Sequence, residues 1–364
     1  MNEENRKTLL EAITILRLPL MILVVLIHAY PCLESRVGEA FYNAEIFSCF
    51  AYFISQIVSR IAVPLFFVIS GFLYFFNIEQ KMTWNVYLSK TQKRVRTLLI
   101  PYLIWNIVAL FIYGSAHVLG INMGADVSME SWGIREWLVC FLDTSYIKGN
   151  NSHFPINYPL WFMRDLILLV LVSPLIYCAI KYVRWLFIVV LGTLWFIGLE
   201  LFYIAGVSTL LFFSIGAWLA IEQIDVVALC RKKMFIPLYM CCALIELVIH
   251  STEILGGEKI LHKIIILLGI VAFVSMAIWL LDSHQIKVNN LWSGSAMFIY
   301  VYHAIPLSVI TKMMLLLLRG YINNLTLCLV YIMSVVLIVL IGVFVYKYMS
   351  KFLPRFTAFV LGGR

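Results

Sequence analysis

The sequence predicts an all-α protein, a polytopic integral-membrane helical bundle of about ten transmembrane helices with both termini in the cytoplasm. Three observations predict it. Of the 364 residues, 63% are hydrophobic and only 13% charged. The apolar residues gather in repeated stretches of about 20, the length that crosses a hydrocarbon core. The basic residues fall mostly between alternate pairs of these stretches. Backbone groups in lipid must be satisfied internally, and the stretches are too long and continuous for barrel strands, so helices are the solution.

The ten spans read 11–31, 50–76, 97–119, 159–180, 184–203, 207–221, 234–250, 260–281, 292–318 and 322–348. The first is not a cleaved signal peptide: its apolar run is long, Pro19 interrupts it, and no small-x-small site follows. With the termini inside, 17 of the 27 basic residues fall in inward segments and six in outward ones. The net charge of +8 is therefore a topology signal and not a nucleic-acid one. The bias suits a multi-pass protein of a cytoplasmic membrane. A single membrane domain is expected over 1–364, with no fused soluble domain and no internal repeat. The one sizeable loop, 120–158 on the outer side, contains SWGIREWLVCFL, which is expected to lie along the membrane as an amphipathic helix. Eight cysteines show no CxxC pair and no Cys/His metal spacing, so no metal is predicted. Cys32, Cys49 and Cys140 face outward in this topology, which leaves room for one disulfide.

The polar residues inside the spans carry the functional reading. Arg17 and His28 stand eleven steps apart in span one. Eleven helical steps turn through about 1100°, so both side chains lie within roughly 20° of one face and about 16 Å apart along the axis. Charged and titratable groups in a membrane helix are costly and are usually kept for a job. The plain alternative is an Arg snorkelling to one interface and a His near the other. A cation near the cytoplasm and a proton acceptor deep in the membrane suit a ligand with anionic phosphates and a long uncharged arm, the shape of a coenzyme A thioester. Before span three, Lys93, Arg94 and Arg96 form a basic cluster, read either as a phosphate site or as a topological anchor. In span two, Arg60 near the bilayer middle needs a partner or a polar cavity, while Ser70 and Gly71 permit close approach of a helix or a ligand. Span four opens with Trp161, Arg164 and Asp165, and neighbours on a helix need not pair with each other. His303 lies about 16 Å deep in span nine, a core histidine or part of the same cavity. The other histidines (117, 153, 250, 262, 284) sit near span ends or in loops.

Together these residues resemble the acyltransferase family 3 membrane proteins, which O-acylate cell-surface carbohydrates in bacteria. The resemblance runs in order along nearly the whole chain: Arg17-x10-His28, VPLFFVISGF, the basic cluster before LLIPY, PLWFMRDL and FIYVYHA. The family's R-x-x-R pair stands here as Lys93-x-x-Arg96 with Arg94 between, which leaves open which two cations meet a phosphate. The resemblance implies an O-acetyltransferase of the cell envelope that takes an acyl group, typically acetyl, from cytoplasmic acetyl-CoA. It implies a carbohydrate acceptor hydroxyl on the outer side, which could be lipid-linked, and either independent action or hand-over to a separate extracytoplasmic transferase. Lys93, Arg94 and Arg96, with Arg17 deeper, would hold the CoA phosphates. His28 would act as general base or as covalent acyl carrier, and Arg60 or Arg164 would stabilise the oxyanion. Two rival readings use the same residues: a proton-coupled transporter or flippase, and a membrane sensor that has kept the motifs. Against the first stands the absence of an inverted repeat and of a pair of matching broken helices in the two halves; against the second, the presence of both Arg17 and His28.

Overall fold

A computed structural model describes residues 1–76, 82–121, 129, 132–148, 153–200, 202–252, 258–318 and 320–363; much of the predicted outer loop, including 122–128 and 149–152, lies outside them. Each of the ten predicted spans contains helix, although the helix of the fifth ends at Ile197, and the described residues contain no strand. The main helices are α1 (Glu3–Val37), α2 (Glu45–Phe75), α3 (Trp84–Val118), α4 (Trp161–Leu171), α5 (Ser173–Val183), α6 (Trp185–Ile197), α7 (Val207–Ile221), α8 (Phe235–Ser251), α9 (Glu258–Asp282), α10 (Asn290–Tyr302), α11 (Ala304–Leu317), α12 (Asn324–Phe352) and α13 (Pro354–Leu361). By length and composition α1, α2, α3, α9 and α12 can each cross a membrane, α4–α5 and α10–α11 do so as pairs, and α6, α7 and α8 are shorter apolar helices. The outer surface carries large apolar side chains such as Phe111, Leu317 and Phe344, an arrangement that lipid accommodates and water does not.

Spans four and nine, continuous in the sequence prediction, are broken. The α4–α5 pair bends by 63° and the α10–α11 pair by 77°. Each break lies just before a proline, Pro174 and Pro306. A proline inside a helix removes one N–H and its ring crowds the carbonyl four residues back. In the first break the Ser173 hydroxyl donates to the freed Val170 carbonyl at 2.7 Å. In the second, the residue at the elbow is His303.

α1 runs through the centre and packs against α2, α9, α10, α11 and α12. One continuous core surrounds it, and a smaller cluster joins α8 and α9 to Ile57 of α2. The closest helix pair is α2 with α7. A Cβ on Gly71 would collide with the Phe213 carbonyl, and one on Gly216 with the Val68 carbonyl, so both positions require glycine. α2 and α3 each contain a π turn, Phe53–Val58 and Val95–Leu99, which rotates the side-chain register of the helix beyond it.

Both termini lie at one end of the bundle. Asn5 Nδ2 donates to Asp225 at 2.8 Å, Arg231 donates to Asn5 at 3.2 Å, and Arg231 also pairs with Asp282 at 3.1 Å. Burial pushes the Asp225 carboxyl up, but hydrogen bonds from Asn5 and the Ala228 N–H outweigh it and hold the group below the usual carboxylate range. At the other terminus α13 folds back on α3: Trp105 Nε1 donates to the Val360 carbonyl at 3.0 Å.

The predicted outer amphipathic helix is reduced to a single short helix, Ile134–Val139, exposing Ile134, Trp137 and Leu138. After it the chain turns into the bundle, so Cys140 is buried. Hydrogen bonds from Arg164 hold this inward turn in place. All eight cysteines are free thiols.

Candidate active site

A cavity of about 220 Å³ opens between α1, α2, the start of α3, α4 and α10. α1 contributes Arg17, Met21, Val24 and His28, a spacing of four, three and four residues that stacks all four on one helix face. α2 contributes Phe66, Ile69, Ser70 and Leu73, so Ser70 faces the cavity while its neighbour Gly71 faces α7. Arg94 and Leu98 enter from α3, Trp161 and Phe162 from α4, Ser293, Gly294 and Tyr300 from α10. The walls between the polar ends are apolar and aromatic.

Two cations line the cavity. Arg17 makes no hydrogen bond or ion pair among the described residues, although it is only partly exposed. Arg94 lies 5.8 Å over the Tyr74 ring, a cation–π contact. A guanidinium held away from bulk water without an acidic partner is expensive, and an anionic ligand would supply what both lack. Lys93 and Arg96 are exposed and do not line the cavity. The π turn at Val95–Leu99 falls between Arg94 and the rest of α3, so linear spacing is a poor guide to which cation points inward.

Eleven residues away on α1, His28 is held between two rings. Tyr158 meets it edge-on at 5.0 Å between centroids, and His303 lies 5.2 Å away, tilted by 30°. His303 is fully buried. Its Nδ1 sits 2.8 Å from the Tyr300 carbonyl and 3.1 Å from the Ile299 carbonyl. Carbonyl oxygens only accept, so Nδ1 carries the hydrogen and Nε2 keeps a lone pair. That Nε2 is buried without a partner. Arg60 lies outside the cavity lining, exposed in the 3₁₀ turn Ser59–Ile61, with its Nε donating to Gln56 at 3.0 Å and its charge acting on His28.

Behind the cavity wall the polar groups form a closed network. Asn157 donates from its backbone N–H to Asn106 Oδ1 at 3.1 Å and from Nδ2 to the Trp105 and Val301 carbonyls at 3.2 Å each. Asn106 donates to the Tyr102 carbonyl at 2.8 Å, and the Tyr300 hydroxyl to the Pro159 carbonyl at 2.7 Å. Arg164 and Asp165 do pair with each other, at 2.8 Å, because the long Arg side chain reaches back past its neighbour. Arg164 also donates to the Leu142 carbonyl at 2.7 Å and the His153 carbonyl at 2.9 Å, and Asp165 accepts from the Ala205 N–H. His153 in turn pairs with Asp143 at 2.7 Å. These bonds pin the segment after Cys140 inside the bundle and set Tyr158 against His28.

The structure thus gathers Arg17, Arg94, His28, Ser70 and Trp161 around one cavity and places His303 against His28. Arg164 and Asp165 stand behind the wall. Tyr158, Tyr300, Asn106 and Asn157 were not among the residues singled out from sequence. Asn106, the one amide within Ile100–Val118 of α3, was the available signal for the two asparagines. No group of three or more His, Cys, Asp or Glu placed to hold a metal occurs among the described residues.

A family model described as an acyltransferase domain matches residues 10–344. The chain belongs to the acyltransferase 3 family. The match runs from the first span into the last, and takes in the cavity, His28 and His303. A curated relative, the succinoglycan biosynthesis protein ExoH of Rhizobium meliloti (strain 1021), is 29% identical over 124 residues, covering 34% of this chain and 31% of that protein. The chain therefore aligns with about a third of that relative's length. No solved structure matched. The protein is a multi-pass membrane member of that family.

Proposed function

We propose that this acyltransferase takes an acetyl group from cytoplasmic acetyl-CoA and passes it to a hydroxyl of an exported carbohydrate at a bacterial cytoplasmic membrane. The carrying observation is the cavity itself, with two guanidinium groups lacking acidic partners towards one end and a histidine at the other. Arg17 and Arg94 hold the phosphates, where planar forks suit bidentate bonding. The uncharged arm lies along the walls of Met21, Ile69, Leu73 and Met297, which brings the thioester carbonyl to His28. Lys93 and Arg96, exposed nearby, add long-range attraction for the anionic donor.

His28 then serves as general base for the acceptor hydroxyl or as the nucleophile that carries the acyl group. The bonded Arg164 has few donors to spare for an oxyanion, whereas Arg60 is hydrogen-bonded to Gln56 alone among the described residues, which makes Arg60 the better candidate if its side chain swings in from outside the lining. The name of the Rhizobium relative supports a polysaccharide, or a lipid-linked precursor of one, as the acceptor.

The test uses the purified protein in proteoliposomes, with release of the free CoA thiol followed over time. Thiol release that requires acetyl-CoA and vanishes in His28→Ala supports the proposal. A proton flux driven by a carbohydrate substrate without any acyl-CoA dependence would overturn it in favour of transport.

A further inference from the structure

His303 has a fixed tautomer, a buried lone pair and one titratable neighbour that faces it. Its Nδ1–H is committed to the Ile299 and Tyr300 carbonyls, on the turn that leads into the 77° elbow ahead of Pro306. Its Nε2 can therefore only accept, and it has nothing to accept from within the resting site. The His28 ring is 5.2 Å away between centroids. The other groups around the pair are Tyr158, edge-on to His28, Tyr300 one turn before His303, and Arg60, whose charge acts on His28. A buried acceptor left empty destabilises the fold and adds nothing to its packing.

We propose that His303 is the positioning residue of His28: its Nε2 accepts a hydrogen bond from one His28 N–H and so presents the other ring nitrogen, as a lone pair, to the donor carbonyl or the acceptor hydroxyl. A turn of the His28 ring closes this bond. The proposal rests on the reading of His28 as the catalytic group.

The same bond serves either chemical route. In direct transfer, the acceptor oxygen bonds to the acyl carbon, the C–S bond breaks with its electron pair leaving on sulfur, and the hydroxyl proton moves to the free nitrogen of His28. The imidazolium so formed shares its other N–H proton with His303 Nε2, and the proton taken up ends on the CoA sulfur. In the carrier route, the His28 lone pair attacks the acyl carbon, the C–S bond breaks with its electron pair leaving on sulfur, and the acyl-imidazolium keeps its other N–H hydrogen-bonded to His303 Nε2. The acceptor hydroxyl then attacks, the C–N bond breaks with its electron pair returning to the His28 nitrogen, and that nitrogen takes the hydroxyl proton and passes it to the thiolate. A carboxylate in this position would bring a second buried ion. A neutral imidazole orients its partner without that cost.

The test compares His303→Phe, which keeps a ring and removes the acceptor, with His303→Gln, whose amide oxygen can replace it. Both are assayed with saturating acetyl-CoA in proteoliposomes beside His28→Ala. The expected result is a fall of about 10²–10⁴-fold in kcat for His303→Phe, the scale of a general acid–base contribution. Acetyl-CoA binding should be unchanged, and His303→Gln should recover at least about tenfold. Wild-type kcat in His303→Phe, with His28→Ala inactive, would overturn the positioning role alone. Activity in His28→Ala would instead overturn the functional reading beneath it. A second measurement, ¹⁵N NMR of histidine-labelled wild-type protein, is independent of how the variants fold. It should show His303 protonated at Nδ1 and bare at Nε2, and a His303 protonated at Nε2 would contradict the proposal.

Discussion

Arg17 and Arg164 are the same residue type within the same membrane bundle, and their surroundings could hardly differ more. Arg164 is buried and donates to Asp165, the Leu142 carbonyl and the His153 carbonyl. Arg17 lines a cavity and donates to no described residue. One charge serves the architecture, since it ties a loop segment into the bundle. The other lines the cavity without a described partner, as the proposed anionic ligand would require. An intramembrane charge is therefore read best by its partners: a satisfied one marks structure and an unsatisfied one marks a ligand.

The contrast can be broken first at Arg164. Arg164→Ala would strand the Asp165 carboxylate and two carbonyls in the interior, and the expected loss of stability is about 3–5 kcal/mol. Thermal unfolding in nanodiscs should show it, and an unshifted transition would mean the network is not structural. At Arg17 the expectation reverses. Arg17→Gln should leave apo stability equal or higher while weakening acetyl-CoA by about 1.5–3 kcal/mol, the worth of a charge-assisted hydrogen bond. Calorimetric titration alongside a melt would separate the two effects, and loss of stability without loss of affinity would erase the distinction between the two arginines.

A smaller effect tests the same idea on α2, where adjacent residues face opposite ways. Gly71→Ala drives a methyl into the Phe213 carbonyl and should cost about 1–3 kcal/mol, as overpacking does. Ser70→Ala, on the cavity side, should leave the melt in place and change only turnover. The smallest effect belongs to the exposed cations: Lys93→Ala with Arg96→Ala should weaken acetyl-CoA less than about threefold at physiological salt, where screening is strong. A loss as large as that of Arg17→Gln would show that the exposed pair, and not Arg94, meets the phosphates.

Much of the fold was legible because lipid leaves so few options. Apolar runs marked the spans, and the register of Arg17 and His28 followed from helical geometry alone. The features that escaped notice depend on contacts between distant segments. Asn106 and Asn157 are 51 residues apart and meet because the chain after Cys140 folds inward, which no local pattern announces. Pro174 and Pro306 were visible as prolines, but the depth of each bend reflects the packing on its two arms. Arg164 and Asp165 point in different directions from the backbone, yet the reach of the Arg side chain joins them. The choice among Lys93, Arg94 and Arg96 turned on a π turn, a backbone feature that residue spacing does not carry.

The proposed chemistry depends above all on Arg17 and Arg94 forming the anion end of an acyl-CoA cavity that leads to His28. Direct binding of acetyl-CoA to the protein in lipid nanodiscs tests this, with wild type set beside Arg17→Gln, Arg94→Gln and His28→Ala. Saturable binding should survive His28→Ala and weaken at least about tenfold in each Arg variant, in line with a lost charge-assisted bond. Equal affinity in all four proteins, or no binding to any of them, would show that the cavity is not an acyl-CoA site.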